Sequence, residues 1–270
     1  MKRNRIFHWL YMVLLIIFVC SGVALAVRSA QMQAGNVFYE NLCEVQDDAD
    51  RAPDCAASME ETSLLSDGVE DEEREMISDR AQKLSGRVTR LAKKYPDIAA
   101  WLQIPGTSVD YPVMRGADHL FYLDHLPDGS RNALGSLFVD CRCAGESRHV
   151  IIYGHNGSGG KMFGGLKLYE SRDYLEKHGT VIFAARDGVY VCPVFSVRMV
   201  EAGGPAYKVD FEDAGSLANY IGQAAGESLC PVETDTGGAA GVLTLSTCTG
   251  WYRKRLIVQA LLPPSFSGLT

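Results

Sequence analysis

The sequence predicts a mostly β protein, a closed barrel of short strands with short helices inserted. An N-terminal helical extension and a membrane-spanning helix come before it. Three observations carry this. The run from Ile6 to Val27 contains no Asp, Glu, Lys or Arg. Between Asp71 and Lys94, apolar residues recur at three- and four-residue steps. From residue 98 onward, short runs rich in β-branched and aromatic residues alternate with Gly, Pro and Asp.

The first segment sets the topology. At ~1.5 Å per residue, a helix over Ile6–Val27 spans a ~30 Å hydrocarbon core. Lys2, Arg3 and Arg5 precede it, and an acidic stretch follows. The positive-inside rule then puts residues 1–5 in the cytoplasm as a basic tail and everything after residue 27 outside. A cleaved signal peptide is the competing reading, since Ala24-Leu25-Ala26 resembles a cleavage site. The apolar run is longer than a usual signal core, and both readings export the remainder. Residues 28–70 read as an acidic extracellular spacer, extended and solvated, because low hydrophobicity and one sign of charge oppose collapse.

Residues 71–97 form the helical extension. Met76, Ile77, Ala81, Leu84, Val88, Leu91 and Ala92 make its apolar face, and Pro96 ends it. Residues 98–264 form the barrel, with strands expected near 100–104, 109–114, 135–140, 149–154, 180–185, 188–200, 241–247 and 255–262. Helical pieces are expected over 117–124, 161–169, 171–177 and 212–225. Many short strands with inserted helices favour a closed barrel over a parallel sheet.

Composition excludes some functions. A net charge of −7 with no basic stripe argues against nucleic-acid binding. The eight cysteines include no Cys-x-x-Cys pair, so no metal or other cofactor is expected. Cys43 and Cys55 flank an acidic segment and could pair outside the cell. Gly154–Lys161 is glycine-rich, but His155 and Met162 occupy positions where a phosphate loop needs Gly and Ser/Thr.

Two segments carry candidate chemistry. Cys248 ends a predicted strand just before a Thr-Gly turn, where a side chain is both fixed and reachable. A thiol there suits nucleophilic acyl transfer, although a buried structural cysteine or half of a disulfide fits the bare sequence equally well. His155 follows another strand in a Gly-rich bend, where an imidazole can act as acid and base. His149 is its nearest rival, but it begins that strand instead of ending it. Arg255 begins the last strand and can stabilise an oxyanion beside Cys248. Arg253 has the same strand parity and competes for that role.

Together these residues resemble the sortases. Thr244-Leu-Ser-Thr-Cys248 is similar to the family's Thr-Leu-x-Thr-Cys signature, and Arg255 before Leu-Ile-Val to its arginine. Tyr153-Gly-His-Asn156 resembles the histidine segment, continued by Met162-Phe163 and Leu166 in the manner of class B. Upstream, Ala100–Val113, Tyr122-Leu123 and Gly135–Asp140 extend the likeness, which covers about residues 75–262. The resemblance implies an eight-stranded barrel and a membrane-held transpeptidase of the Gram-positive surface. Such an enzyme cleaves a C-terminal sorting pentapeptide, of the Asn-Pro type in class B, after its Thr. It forms a thioacyl enzyme and passes the acyl group to an amine of the cell wall or of a pilin lysine. Catalysis would fall to His155, Cys248 and Arg255. Ser246, Thr247 and Asn156 would contact substrate, and the helix near 212–225 would help wall the groove.

There are departures from that pattern. Cys248 and Arg255 are closer in sequence than class B suggests. No acid follows the cysteine, and Asp140 is only a weak candidate for a third catalytic member. The cysteines at 141, 143, 192 and 230 have no assigned role. A papain-like hydrolase would set its cysteine before its histidine, at a helix start. A non-catalytic, disulfide-stapled binding module would bond Cys248 to Cys230 or Cys192.

Overall fold

The computed structural model describes residues 2–44, 71–118, 120–143, 145, 147–248 and 253–269. Residues 45–70, Cys55 and its pairing with Cys43, His119 and Thr249–Trp251 lie outside that description.

Helix α1 runs from Lys2 to Glu44. No proline interrupts it, so nothing breaks its backbone ladder. Large apolar side chains from Trp9 to Val27 are exposed on it, the condition of a helix that meets lipid. The helix also corrects the expected extended spacer, which begins no earlier than the end of α1. The acids that favour solvation start only at Glu40, and residues 28–39 contain none. Met32, Gly35, Asn36, Tyr39, Leu42 and Cys43 make one buried or half-buried face. Tyr39 and Leu42 join the core of the barrel.

Helix α2 spans Asp71–Lys94. It buries Leu84 and Val88 against the first strand, β1 (Ile98–Gln103). Arg87 lies 4.4 Å from the centre of the Trp101 ring, and Trp101 Nε1 donates to Asp110 at 2.5 Å.

The other strands are β2 (Asp110–Met114), β3 (Leu137–Val139), β4 (His149–Gly154), β5 (Thr180–Ala185), β6 (Val189–Glu201), β7 (Gly241–Cys248) and β8 (Lys254–Leu262). They close a barrel in the order β1-β2-β3-β4-β7-β8-β6-β5. Two neighbouring pairs are parallel, β2 with β3 and β4 with β7. Parallel pairs need long crossovers, and here residues 115–136 and 155–240 supply them. Trp101, Phe183, Ile151 and Leu245 are among the residues of the closed interior.

Two expected helices are shorter than the sequence suggests. Over 117–124, among the described residues, only Phe121–Leu123 forms a 3-10 turn, and over 161–169 the helical part is a 3-10 segment, Leu166–Glu170. In the second, Gly164 lies so close to the Gly157 carbonyl that a Cβ would collide with it, which pins the chain in a loop. The remaining two become α3 (Arg172–Lys177) and α4 (Ala214–Gly226). Asp213 and Ser216 cap α4 reciprocally, Ser216 N donating to Asp213 Oδ1 at 2.7 Å and Asp213 N to Ser216 Oγ at 3.2 Å. α4 buries Leu217, Ile221 and Ala224 against Phe195, Val242 and Leu261 on the outer barrel wall.

Candidate active site

Strand register brings the three candidate residues to one end of the barrel. β7 lies between β4 and β8. On one side Gly154 pairs with Thr247, so the next residues along the parallel pair are His155 and Cys248. On the other side Cys248 pairs with Arg255. Neighbouring strands lie about 4.8 Å apart, so the three positions form one row across three strands.

His155 is half-buried. Its Nε2 lies 2.5 Å from the Leu123 carbonyl. A carbonyl can only accept, so Nε2 carries the proton and Nδ1 is the basic nitrogen. The following loop is tied back by Phe163 N donating to His155 O at 2.9 Å and by a bridge between Asn156 and Met162. Arg255 is half-buried and Arg253 exposed. Arg253 lies in the turn before β8, where its carbonyl accepts from Ala202 N at 2.7 Å.

Of the expected substrate contacts, Asn156 is exposed beside His155, whereas Ser246 and Thr247 are buried. The Ser246 hydroxyl is 2.9 Å from Tyr207 OH. Thr247 has the parity of Leu243 and Leu245 in the barrel core, and its Oγ1 finds no hydrogen-bond partner among the described residues. Both side chains are therefore committed to the body of the barrel. Asp140 pairs with Ile151, four residues back along β4 from His155. Its carboxylate accepts from Arg142 Nη2 at 2.7 Å and Tyr153 OH at 2.9 Å. Burial opposes its charge, but those hydrogen bonds outweigh it and hold the carboxyl below the usual range.

A buried polar chain underlies the same wall, and sequence reasoning missed it. Arg198 Nη2 donates to Gln259 Oε1 at 2.7 Å, and Gln259 Nε2 to Thr244 Oγ1 at 2.9 Å. The Thr244 hydroxyl is 2.6 Å from His149 Nε2, and His149 Nδ1 is 2.6 Å from the Lys208 carbonyl. That carbonyl fixes the proton on Nδ1, so Nε2 accepts from Thr244 and every donor in the chain points the same way. Burial pulls the His149 imidazole down to about 4, keeping it neutral. His149 is thus committed to structure. The visible signal was Arg198, a cation inside the largely apolar stretch Val189–Val200 of β6.

The disulfide-module reading fails on its partners. Cys192 is a free thiol in the core, its ionisation pushed up by burial. Cys230 is also free, and its Sγ donates to Glu170 O at 3.1 Å. The papain-like reading needs a helix start, whereas Cys248 ends a strand.

Comparison with known proteins gives the family. The sortase domain model matches residues 102–263. Sortase B of Listeria monocytogenes is 28% identical over 177 residues, covering 64% of this chain and 72% of that protein. The solved Staphylococcus aureus sortase B–substrate complex is 25% identical, with a TM-score of 0.60 over 73% of this chain and all of that one. A sortase B solved in complex with triglycine is 26% identical, with a TM-score of 0.62 over 72% of this chain and 92% of that one. A match over more than half the length, on a barrel of the same architecture, means that this chain belongs to the sortase family, as a class B cysteine transpeptidase.

Proposed function

We propose that Cys248, His155 and Arg255 carry out an acyl transfer outside the cell. The substrate is a secreted protein bearing a C-terminal sorting signal of the Asn-Pro type, cut after its Thr. The observation that supports this is the register Gly154–Thr247 and Cys248–Arg255, which puts position 248 between positions 155 and 255.

The steps follow from that order. Cys248 attacks the Thr carbonyl as a thiolate, which an adjacent imidazolium favours. Arg255 donates to the developing oxyanion, and His155 protonates the leaving amine through Nδ1. The thioester stores the acyl group. An incoming amine then attacks, His155 takes its proton, and the thiolate leaves as the new amide forms. A glycine-type amine of the cell wall is the favoured acceptor, because a similar sortase B was solved with triglycine. A pilin lysine is the other. Asn156 contacts the peptide, while Ser246 and Thr247 hold the strand beneath it.

Residues 1–5 lie in the cytoplasm, residues 6–27 cross the membrane, and the barrel works outside. The basic residues before the apolar run support that orientation. The test is a peptide-library cleavage screen with and without added amines. Cys248→Ala should abolish cleavage with the fold retained, and amines should give conjugates in place of free acid. Cleavage by Cys248→Ala would sink the assignment.

A further inference from the structure

The contacts of α1 lead from the anchor to the proposed base. Tyr39 OH donates to the Gly135 carbonyl at 2.7 Å and lies 2.9 Å from Ser136 Oγ. Ser136 Oγ gives its own proton to the His125 carbonyl at 2.8 Å, so the Tyr39 proton is shared between Gly135 O and Ser136 Oγ. Asn132 Nδ2 donates to the Gln31 carbonyl of α1 at 2.6 Å. The anchor helix therefore grips segment 132–136 at two heights.

That segment in turn holds the Leu123 carbonyl. Ser136 N donates to Tyr122 O at 2.9 Å, and Asn132 N to Asp124 O at 2.8 Å. Gly135 has φ +61, and a Cβ there would collide with Leu123 O and come within 2.8 Å of Tyr122 O. Only glycine allows so close an approach. Leu123 O is the acceptor that keeps the His155 proton on Nε2. The turn bearing it is a single one with Leu120 and Phe121 exposed; Tyr122 is buried and its OH donates to Asp97 at 2.6 Å, while segment 132–136 holds the turn's carbonyl side.

We infer that Tyr39, on the membrane-anchored helix, is a positioning residue for His155, acting through Gly135–Ser136 and the Leu123 carbonyl. This rests on the reading of His155 as the acid–base group. Loss of the Tyr39 hydroxyl leaves a buried carbonyl without its donor and loosens the Leu123 turn. The imidazole then populates the tautomer with its proton on Nδ1, which cannot accept from an incoming amine.

The test uses the full chain in detergent micelles and the peptide it cleaves best in the library. Tyr39→Phe keeps the ring packing and removes the hydroxyl. The expected result is a kcat lower by roughly three- to tenfold with KM unchanged. The pH profile of kcat/KM should move, and Tm should stay within about 2 °C. Leu42→Ala removes packing from the same helix face, and should lower Tm without moving the pH profile. A Tyr39→Phe enzyme with wild-type kcat and pH profile overturns the coupling. So does a variant that behaves like Leu42→Ala, losing Tm and kcat together on an unmoved profile. His155→Ala separates the two levels. An inactive His155→Ala beside an unaffected Tyr39→Phe removes only the coupling, while an active His155→Ala removes the base itself.

Discussion

Arg253 and Arg255 share a strand parity, and register separates them. Arg255 stands opposite Cys248, while Arg253 lies two residues beyond, exposed in the turn. Arg255→Ala should therefore lower kcat/KM by about 10²–10³, the usual loss of one oxyanion donor. Arg253→Ala should stay within about threefold. Steady-state cleavage of one peptide by both variants checks this, and the reverse order would reassign the role. His149 gives a second residue-scale expectation. Between pH about 4 and about 6.5, the unfolded chain binds a proton that buried His149 refuses. Stability is then full above this window and falls as pH drops through it, by at most about 3 kcal/mol. Urea unfolding at stepped pH should show the slope, and His149→Gln should flatten it. The placement of Cys248, His155 and Arg255 in one row was legible because each sits at a strand end in a recognisable segment. The buried fates of His149, Ser246 and Thr247 were not, since they depend on α4 and Tyr207, which approach from distant parts of the chain.

α4 and the turn before it form the outer cover of β4, β7 and β8. Their attachment is polar as well as apolar. Arg198 bridges Glu227 at 2.7 Å and Gln259 at 2.7 Å, Tyr220 OH donates to Ala206 O at 2.8 Å, and Ser196 Oγ to Ala224 O at 2.6 Å. Asp213→Ala removes only the cap and should lower the denaturant midpoint modestly. Arg198→Met leaves the Gln259 carbonyl buried without its donor and should cost about 1–3 kcal/mol. Denaturant midpoints at constant slope check both, and an Arg198→Met midpoint no lower than that of the wild type would contradict the chain of donors described above. At this scale the strands were legible almost to the residue, because β-branched runs and Gly or Pro punctuation mark them. The two 3-10 segments were not. Longer helices were expected there, but close approaches at Gly135 and Gly164 hold those backbones in turns.

For the whole molecule, the main correction concerns how the barrel meets its anchor. Acidic content from Glu40 onward suggested a loose tether from residue 28, yet α1 continues to Glu44 and buries Tyr39 and Leu42 in the barrel. The signal was present as the face Met32, Gly35, Tyr39 and Leu42. It was masked by averaging over the acidic stretch that follows. A soluble chain beginning at Arg28 should melt about 5 °C or more above one beginning at Asp71, since two large side chains lose their burial in the shorter form. Calorimetry of the two chains decides it, and equal Tm values would mean that the docking contributes nothing.

The parallel pairing of β4 with β7 has a consequence for how the protein matures. The strands ending beside His155 and at Cys248 are joined only through residues 155–240, which include β5, β6 and α4. Contacts of such long sequence separation form late, after local turns and hairpins. A folding chain therefore carries position 248 well before position 155 comes beside it. The row of positions 155, 248 and 255 is assembled only when the barrel shuts.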